Sequence, residues 1–192
     1  GSNYTIAFTP DNFTITPATL TVTADASQTK VYGASDPTLT YAYSGLVNGD
    51  TSSVFSGALA RDTSENVVDT HAINQGNLSA GSNYTIAFTP DNFTITPAAL
   101  NVTANDQPKV YGADLPALTV SYTGLVNGDT APATLPTVIT TGDKTSSVGT
   151  YSITASGAAD SNYTITYTDG TLTVTPAALN VTANDQPKVY GA

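Results

Sequence analysis

Apolar and polar residues alternate with a period of two along most of this chain. The pattern is cleanest in Leu100-Asn101-Val102-Thr103-Ala104, Leu118-Thr119-Val120-Ser121-Tyr122 and Tyr151-Ser152-Ile153-Thr154-Ala155. It recurs in Tyr163-Thr164-Ile165-Thr166-Tyr167 and Leu172-Thr173-Val174-Thr175. Such alternation turns one face of a strand to a core and leaves the Thr, Ser and Asn face in water. β-Branched and aromatic residues suit that half-buried position. Shorter strands are expected at Lys109–Tyr111 and around Thr137–Thr140.

No segment carries a sustained 3.6-residue period. Asp50 in Asn48-Gly49-Asp50-Thr51 and Asp129 in Asn127-Gly128-Asp129-Thr130 are placed to cap one short helical turn, with Pro132 in its first turn. Asp169-Gly170 reads as a two-residue hairpin turn between the last two strands, and Pro90-Asp91 occupies the same place earlier. Gly33 and Gly112 follow a Tyr at a strand end, where a positive φ is expected. The pattern predicts an all-β fold of about seven short strands per unit. The expected form is a small antiparallel β-sandwich of Ig-like type with at most one short helical turn; the alternative is a β-grasp-like unit.

The chain repeats itself. GSNYTIAFTPDNFTITPA at Gly1–Ala18 returns unchanged at Gly81–Ala98, and PAALNVTANDQPKVYGA at Pro97–Ala113 returns at Pro176–Ala192. The offsets, 81 − 1 = 80 and 176 − 97 = 79 residues, are too long for a solenoid rung and fit a small domain in tandem. The division expected is 1-18, the end of a preceding repeat; 19-97 and 98-176, two complete repeats; and 177-192, the start of a following one. Thr16-Pro17-Ala18, Thr96-Pro97-Ala98 and Thr175-Pro176-Ala177 are short joints containing Pro and no Gly/Ser linker, which predicts stiff, rod-like connections. The copies agree in KVYGA, GLVNGDT and SNYTI and diverge across Ser52–Gly81 against Ala131–Asp160. The divergence suggests that the middle strands face outward or carry variable loops.

Composition narrows the function classes. Fifteen acidic residues against five basic give a net charge of −10, which opposes nucleic acid and anionic membrane surfaces as partners. No apolar window approaches the length of a membrane span. Cysteine is absent, which removes disulfides, thiolate metal sites and cysteine nucleophiles. The polar surface is mostly uncharged hydroxyl, a composition common in secreted proteins.

The strings LTVTADASQTKVYGASDPTLTYAYSGLVNGDT and LNVTANDQPKVYGADLPALTVSYTGLVNGDT, with the endings NFTITP and TLTVTP, resemble the MBG domain of the YGX type. The motif residues are Tyr32–Ala34 and Tyr111–Ala113, then the Gly-Leu-Val-Asn-Gly-Asp run, then the closing strand with its Pro. The resemblance implies a repeated extracellular stalk module of a large bacterial surface adhesin. It implies no catalytic residue and no particular ligand.

His71, the single histidine, aligns with Tyr151 on the inward parity and reads as a substituted structural aromatic. Calcium at a joint would draw on Asn105, Asp106 and Asp91, but Asp25-Ala26 replaces the first pair in the other copy, so turn and capping duties are favoured for these carboxylates and for Asp169. Thr164, Thr166 and Thr168 beside Thr171, Thr173 and Thr175 could offer a flat hydroxyl array; the plainer reading is the wet face of one antiparallel pair. No catalytic residue, metal site or cofactor is assigned. The expected function is a spacer repeat; the alternative is a repeat that binds a glycan or host protein through its variable middle strands. The partners expected are neighbouring repeats of the same chain, with weak end-to-end self-association through Tyr4–Thr16, read as a final hairpin, and Leu179–Tyr190.

Overall fold

The computed structural model describes residues 3–191 and divides into two compact units at the Thr96–Pro97 bond. The first unit contains β1 (Ala18–Ala24), β2 (Gln28–Val31), β3 (Tyr41–Ser44), β4 (Ala60–Arg61), β5 (His71–Asn74), β6 (Tyr84–Thr89) and β7 (Asp91–Thr96). A 3-10 turn covers Ser52–Val54. The second unit contains β8 (Ala98–Ala104), β9 (Gln107–Val110), β10 (Val120–Thr123), β11 (Thr137–Thr140), β12 (Gly149–Ser156), β13 (Tyr163–Thr168) and β14 (Gly170–Thr175).

Each unit builds two sheets, in the same way. In the first the orders are β3-β1-β6 and β2-β7-β5-β4; in the second they are β10-β8-β13 and β11-β12-β14-β9. The sheets are mixed rather than antiparallel as the sequence pattern predicts. β6 runs parallel to β1 with Tyr84 opposite Ala18 and Phe88 opposite Val22, and β7 runs parallel to β2 with Phe93 opposite Gln28. The second unit repeats both pairs, β13 on β8 and β14 on β9.

The predicted hairpin at Pro90-Asp91 and Asp169-Gly170 is therefore corrected. Asp91 and Gly170 already belong to the following strands, which leaves one residue, Pro90 or Asp169, between them. A two-residue loop is the usual minimum for reversal, so the chain does not turn back but passes from one sheet to the other. β1 crosses to β2 beside it, through Asp25–Ser27, and β8 to β9 through Asn105-Asp106. The first and last segments of each unit thus form one parallel ribbon that spans both sheets. The threonine array is corrected with it: Thr164, Thr166 and Thr168 lie in one sheet and Thr171, Thr173 and Thr175 in the other.

Alternation explains the core. Leu20, Val22 and Ala24 of β1 are buried at every second position, as are Leu100, Val102 and Ala104 of β8. Phe93 and Ile95 are buried as well in the first unit, and Leu172 and Val174 in the second. The divergent middle is not confined to the surface, since β5 lies between β7 and β4, and Ile73, like Leu59 and Leu78, is buried. The helical turn also differs from expectation: its cap is Thr51, whose side-chain oxygen accepts from the Ser53 N–H. Asp50 is engaged elsewhere, and in the second unit no helical turn forms among the described residues.

The repeated strings take two states. Tyr84, Phe93 and Ile95 are at most 7% exposed, whereas Tyr4, Phe13 and Ile15, the same residues of the same string, are at least 84% exposed and outside any strand. Leu179 and Val181 are 87% exposed, against 0% for Leu100 and Val102. Local sequence is identical, so the difference comes from tertiary partners. The expected hairpin over Tyr4–Thr16 is absent here and would not match the folded copy of the string.

Candidate functional site

Two constructions stand out: a lock present in both units and an ion cluster present in one. The lock starts from Asn48-Gly49, where φ is +57° and +78° and the Asp50 N–H closes the turn onto the Val47 carbonyl at 3.0 Å. Asn and Gly tolerate the left-handed region that such a turn demands. The turn presents the Val47 N–H and the Asp50 carboxylate to one phenol. The Tyr84 hydroxyl accepts from Val47 N–H at 3.1 Å and donates to Asp50 Oδ2 at 2.7 Å. The Val47 N–H pulls the phenol down, but the hydrogen bond to Asp50, burial and the carboxylate charge together hold it above its ordinary value. Tyr163 makes the same contacts with Val126 and Asp129, at 3.0 and 2.7 Å. A cleft of about 360 Å³ adjoins the lock in the first unit, walled by Thr16, Pro17, Asn48, Asp50, Asn83 and Tyr84.

The ion cluster joins Lys30, Asp36, Arg61 and Glu65. Lys30 Nζ lies 2.7 Å from Asp36 and 2.5 Å from Glu65. Arg61 grips Asp36 with Nε and one terminal nitrogen, both at 2.7 Å, and also reaches Glu65. Its guanidinium lies over the Phe93 ring at 5.2 Å. Both cation side chains are 5% exposed, so pairing is what makes their burial tolerable. The Arg61 hydrogen bond, opposed by burial and helped by Lys30, holds the Asp36 carboxyl down at about 2. Burial raises Glu65, but hydrogen bonds from Lys30 and Arg61 keep it below its usual range. Asp36, Leu59, Arg61 and Glu65 rim a cavity of about 490 Å³.

The second unit keeps the lysine without the cluster. Lys109 is 4% exposed and donates to the Lys144 carbonyl at 3.1 Å. Leu115 stands in the place of Asp36. Thr140, opposite Ile153 as Arg61 is opposite Ile73, replaces the arginine. Sequence reasoning missed this cluster because its members are distant in the chain. One signal was legible: Lys30 in β2 shares the inward parity of Tyr32, which follows the strand and is also buried.

His71 sits where the alignment with Tyr151 puts it. It pairs with Phe93 across β5 and β7, as Tyr151 pairs with Leu172. His71 Nε2–H donates to the Asn66 carbonyl at 2.9 Å, and the Tyr151 hydroxyl donates to the Ser147 carbonyl at 2.9 Å. Nδ1 is buried without a hydrogen-bond partner. The ring fills an aromatic position and bonds backward to the preceding loop.

The calcium candidates have local duties instead. Asp91 Oδ1 accepts from the Asn92 N–H at 2.6 Å, and Asp106 Oδ1 accepts from the Thr171 N–H at 2.7 Å. Asn105 bonds Thr119 and Ser121. Among the described residues no three His, Cys, Asp or Glu side chains gather where they could hold a metal ion. Among the described residues there is no catalytic motif.

A family model described as MBG domain (YGX type) matches residues 20–94 and again 100–173. The two matches cover both units and most of the chain. No curated protein and no solved structure gives a significant match.

Proposed function

Since the chain belongs to the MBG domain (YGX type) family, present as two tandem copies, we propose that it is a spacer segment in the stalk of a large bacterial surface adhesin. Its work is mechanical: repeat number sets reach, and the proline-containing joints limit bending. The surroundings in this reading are extracellular. Each unit is an Ig-like sandwich in this reading; a β-grasp would need a helix packed across a sheet, and a three-residue turn is the helical content of the first unit.

One observation carries the proposal. The lock of Tyr84 on Asp50 recurs as Tyr163 on Asp129 at the same 2.7 Å, while the charged cluster around Arg61 does not recur. What the copies share holds the unit together. A repeat selected for binding would be expected to reproduce an exposed recognition site in each copy.

The cavity beside Asp36, Arg61 and Glu65 favours a second reading, in which the variable middle of the first unit recognises a glycan or host protein. A glycan and matrix-protein panel against the two-unit chain separates them. The spacer reading expects no reproducible ligand. Binding that strengthens with repeat number through avidity, and is lost in Arg61→Thr, would overturn it.

A further inference from the structure

Each unit takes in the chain at the start of its first strand and releases it at the end of its last, and these segments are partners. In the first unit β1 lies on β6 from Ala18–Tyr84 to Thr23–Thr89, and β2 lies on β7 from Gln28–Phe93 to Val31–Thr96, both in parallel. We propose that this parallel ribbon is a tension clamp: when the chain is pulled through its joints, the ribbon bears the load in shear. Its use in a stalk rests on the spacer reading; the mechanical property itself does not.

Direction decides how the load is shared. Tension draws Ala18 back along β1 and Thr96 forward along β7, so the two segments are dragged past each other. Hydrogen bonds between parallel strands are evenly spaced along the ladder, and sliding strains them together. A pull across the same ladder strains them one after another from its end. Sheet order puts the ladder on the path of the load, since β6 is an edge strand that joins its sheet through β1, and β2 is an edge strand that joins through β7.

Both ends of the ladder are closed. The Ala18 N–H donates to the Asn83 carbonyl at 2.9 Å, and the Tyr32 N–H donates to the Thr96 carbonyl at 2.8 Å. The Thr96 hydroxyl adds a bond to the Lys30 carbonyl at 3.2 Å. The second unit repeats all three, from Ala98 to Asn162, from Tyr111 to Thr175 and from the Thr175 hydroxyl to Lys109. There Asn101 also bridges β8 to β13: its amide donates to the Thr168 hydroxyl at 3.0 Å, and its side-chain oxygen accepts from the Thr166 hydroxyl at 3.2 Å. Thr21 holds this place in the first unit and faces Ala87.

The chain has no cysteine, so engineered pairs set where a force probe grips the full chain. Thr19→Cys with Thr94→Cys pulls along the first ribbon, and Thr19→Cys with Thr85→Cys, opposed in register, pulls across it. All three threonines are exposed, and circular dichroism checks that both variants fold. Forced unfolding reports the barrier rather than the equilibrium. In single-molecule extension at one pulling speed, the along-ribbon pair is expected to yield at several-fold higher force. With Ala99→Cys and Thr173→Cys as grips on the second unit, adding Asn101→Thr should lower the yield force. Equal forces in the two directions, or a higher force across the ribbon, would overturn the clamp and leave the spacer reading standing, because that reading concerns reach and joint stiffness. An unchanged force in Asn101→Thr would remove that residue from the clamp.

Discussion

The hydroxyl of Tyr84 donates to the carboxylate of Asp50 across 34 residues of chain, and Tyr163 does the same to Asp129 across the same separation. The bond explains why GLVNGDT and SNYTI are both kept in each copy: they are the two halves of one lock. Tyr84→Phe leaves the Val47 N–H and the Asp50 carboxylate to find other partners, at a cost of about 1–3 kcal/mol. Asp50→Asn is expected to cost less, because the amide still accepts. Denaturant melts of the single variants and the double variant should give a clearly non-additive cycle.

Acid should act through the ion cluster. The Asp36 carboxyl titrates at about 2 in the folded chain against an ordinary 3.8, and Glu65 is lowered in the same direction. A carboxyl with a depressed folded value contributes stability that is present above its unfolded value and lost as pH falls through the folded one. The first unit is therefore expected to weaken as pH drops from 3.8 toward about 2. Asp36→Asn should start from lower stability near neutrality and show a flatter decline over that interval. An unchanged slope in thermal melts across the interval would contradict the assignment.

The crossing between sheets is solved in two incompatible ways. In the first unit Asp91 supplies its own carboxylate to the next N–H, beside a three-residue link; in the second, Asp106 supplies it from a two-residue link, and Gly170 makes room. Gly170→Asp should destabilise the second unit by several-fold more than Asp91→Gly destabilises the first. Replacing Asn105-Asp106 by Asp-Ala-Ser should rescue Gly170→Asp. Failure of the rescue in equilibrium unfolding would mean that link length is not the cause.

The identical strings offer a controlled exchange experiment, because their amides share intrinsic exchange rates. In dilute solution the amides of 84–96 should be protected and those of 4–16 should exchange at nearly the free-peptide rate. Equal protection would show that the string folds by itself.

These cases also mark what the sequence could and could not reveal. Period-two alternation located β8, β12, β13 and β14, the positive φ of Gly33 (+80°) and Gly112 (+82°) followed from their place after Tyr, and parity put His71 in the Tyr151 position. The crossing at Pro90 and Asp169 was misread because a tight turn and a one-residue passage between sheets share the same residue types. Parallel pairing of β1 with β6 is a long-range choice that no local pattern encodes. Arg61, Asp36 and Glu65 escaped notice because each is an ordinary surface residue until the fold brings them to Lys30.

Small-angle scattering from chains of one, two and four units tests the spacer account most directly. The account predicts that the maximum dimension grows by an equal increment for each added unit. Growth that falls off toward the square root of unit number, the behaviour of freely jointed domains, would contradict it.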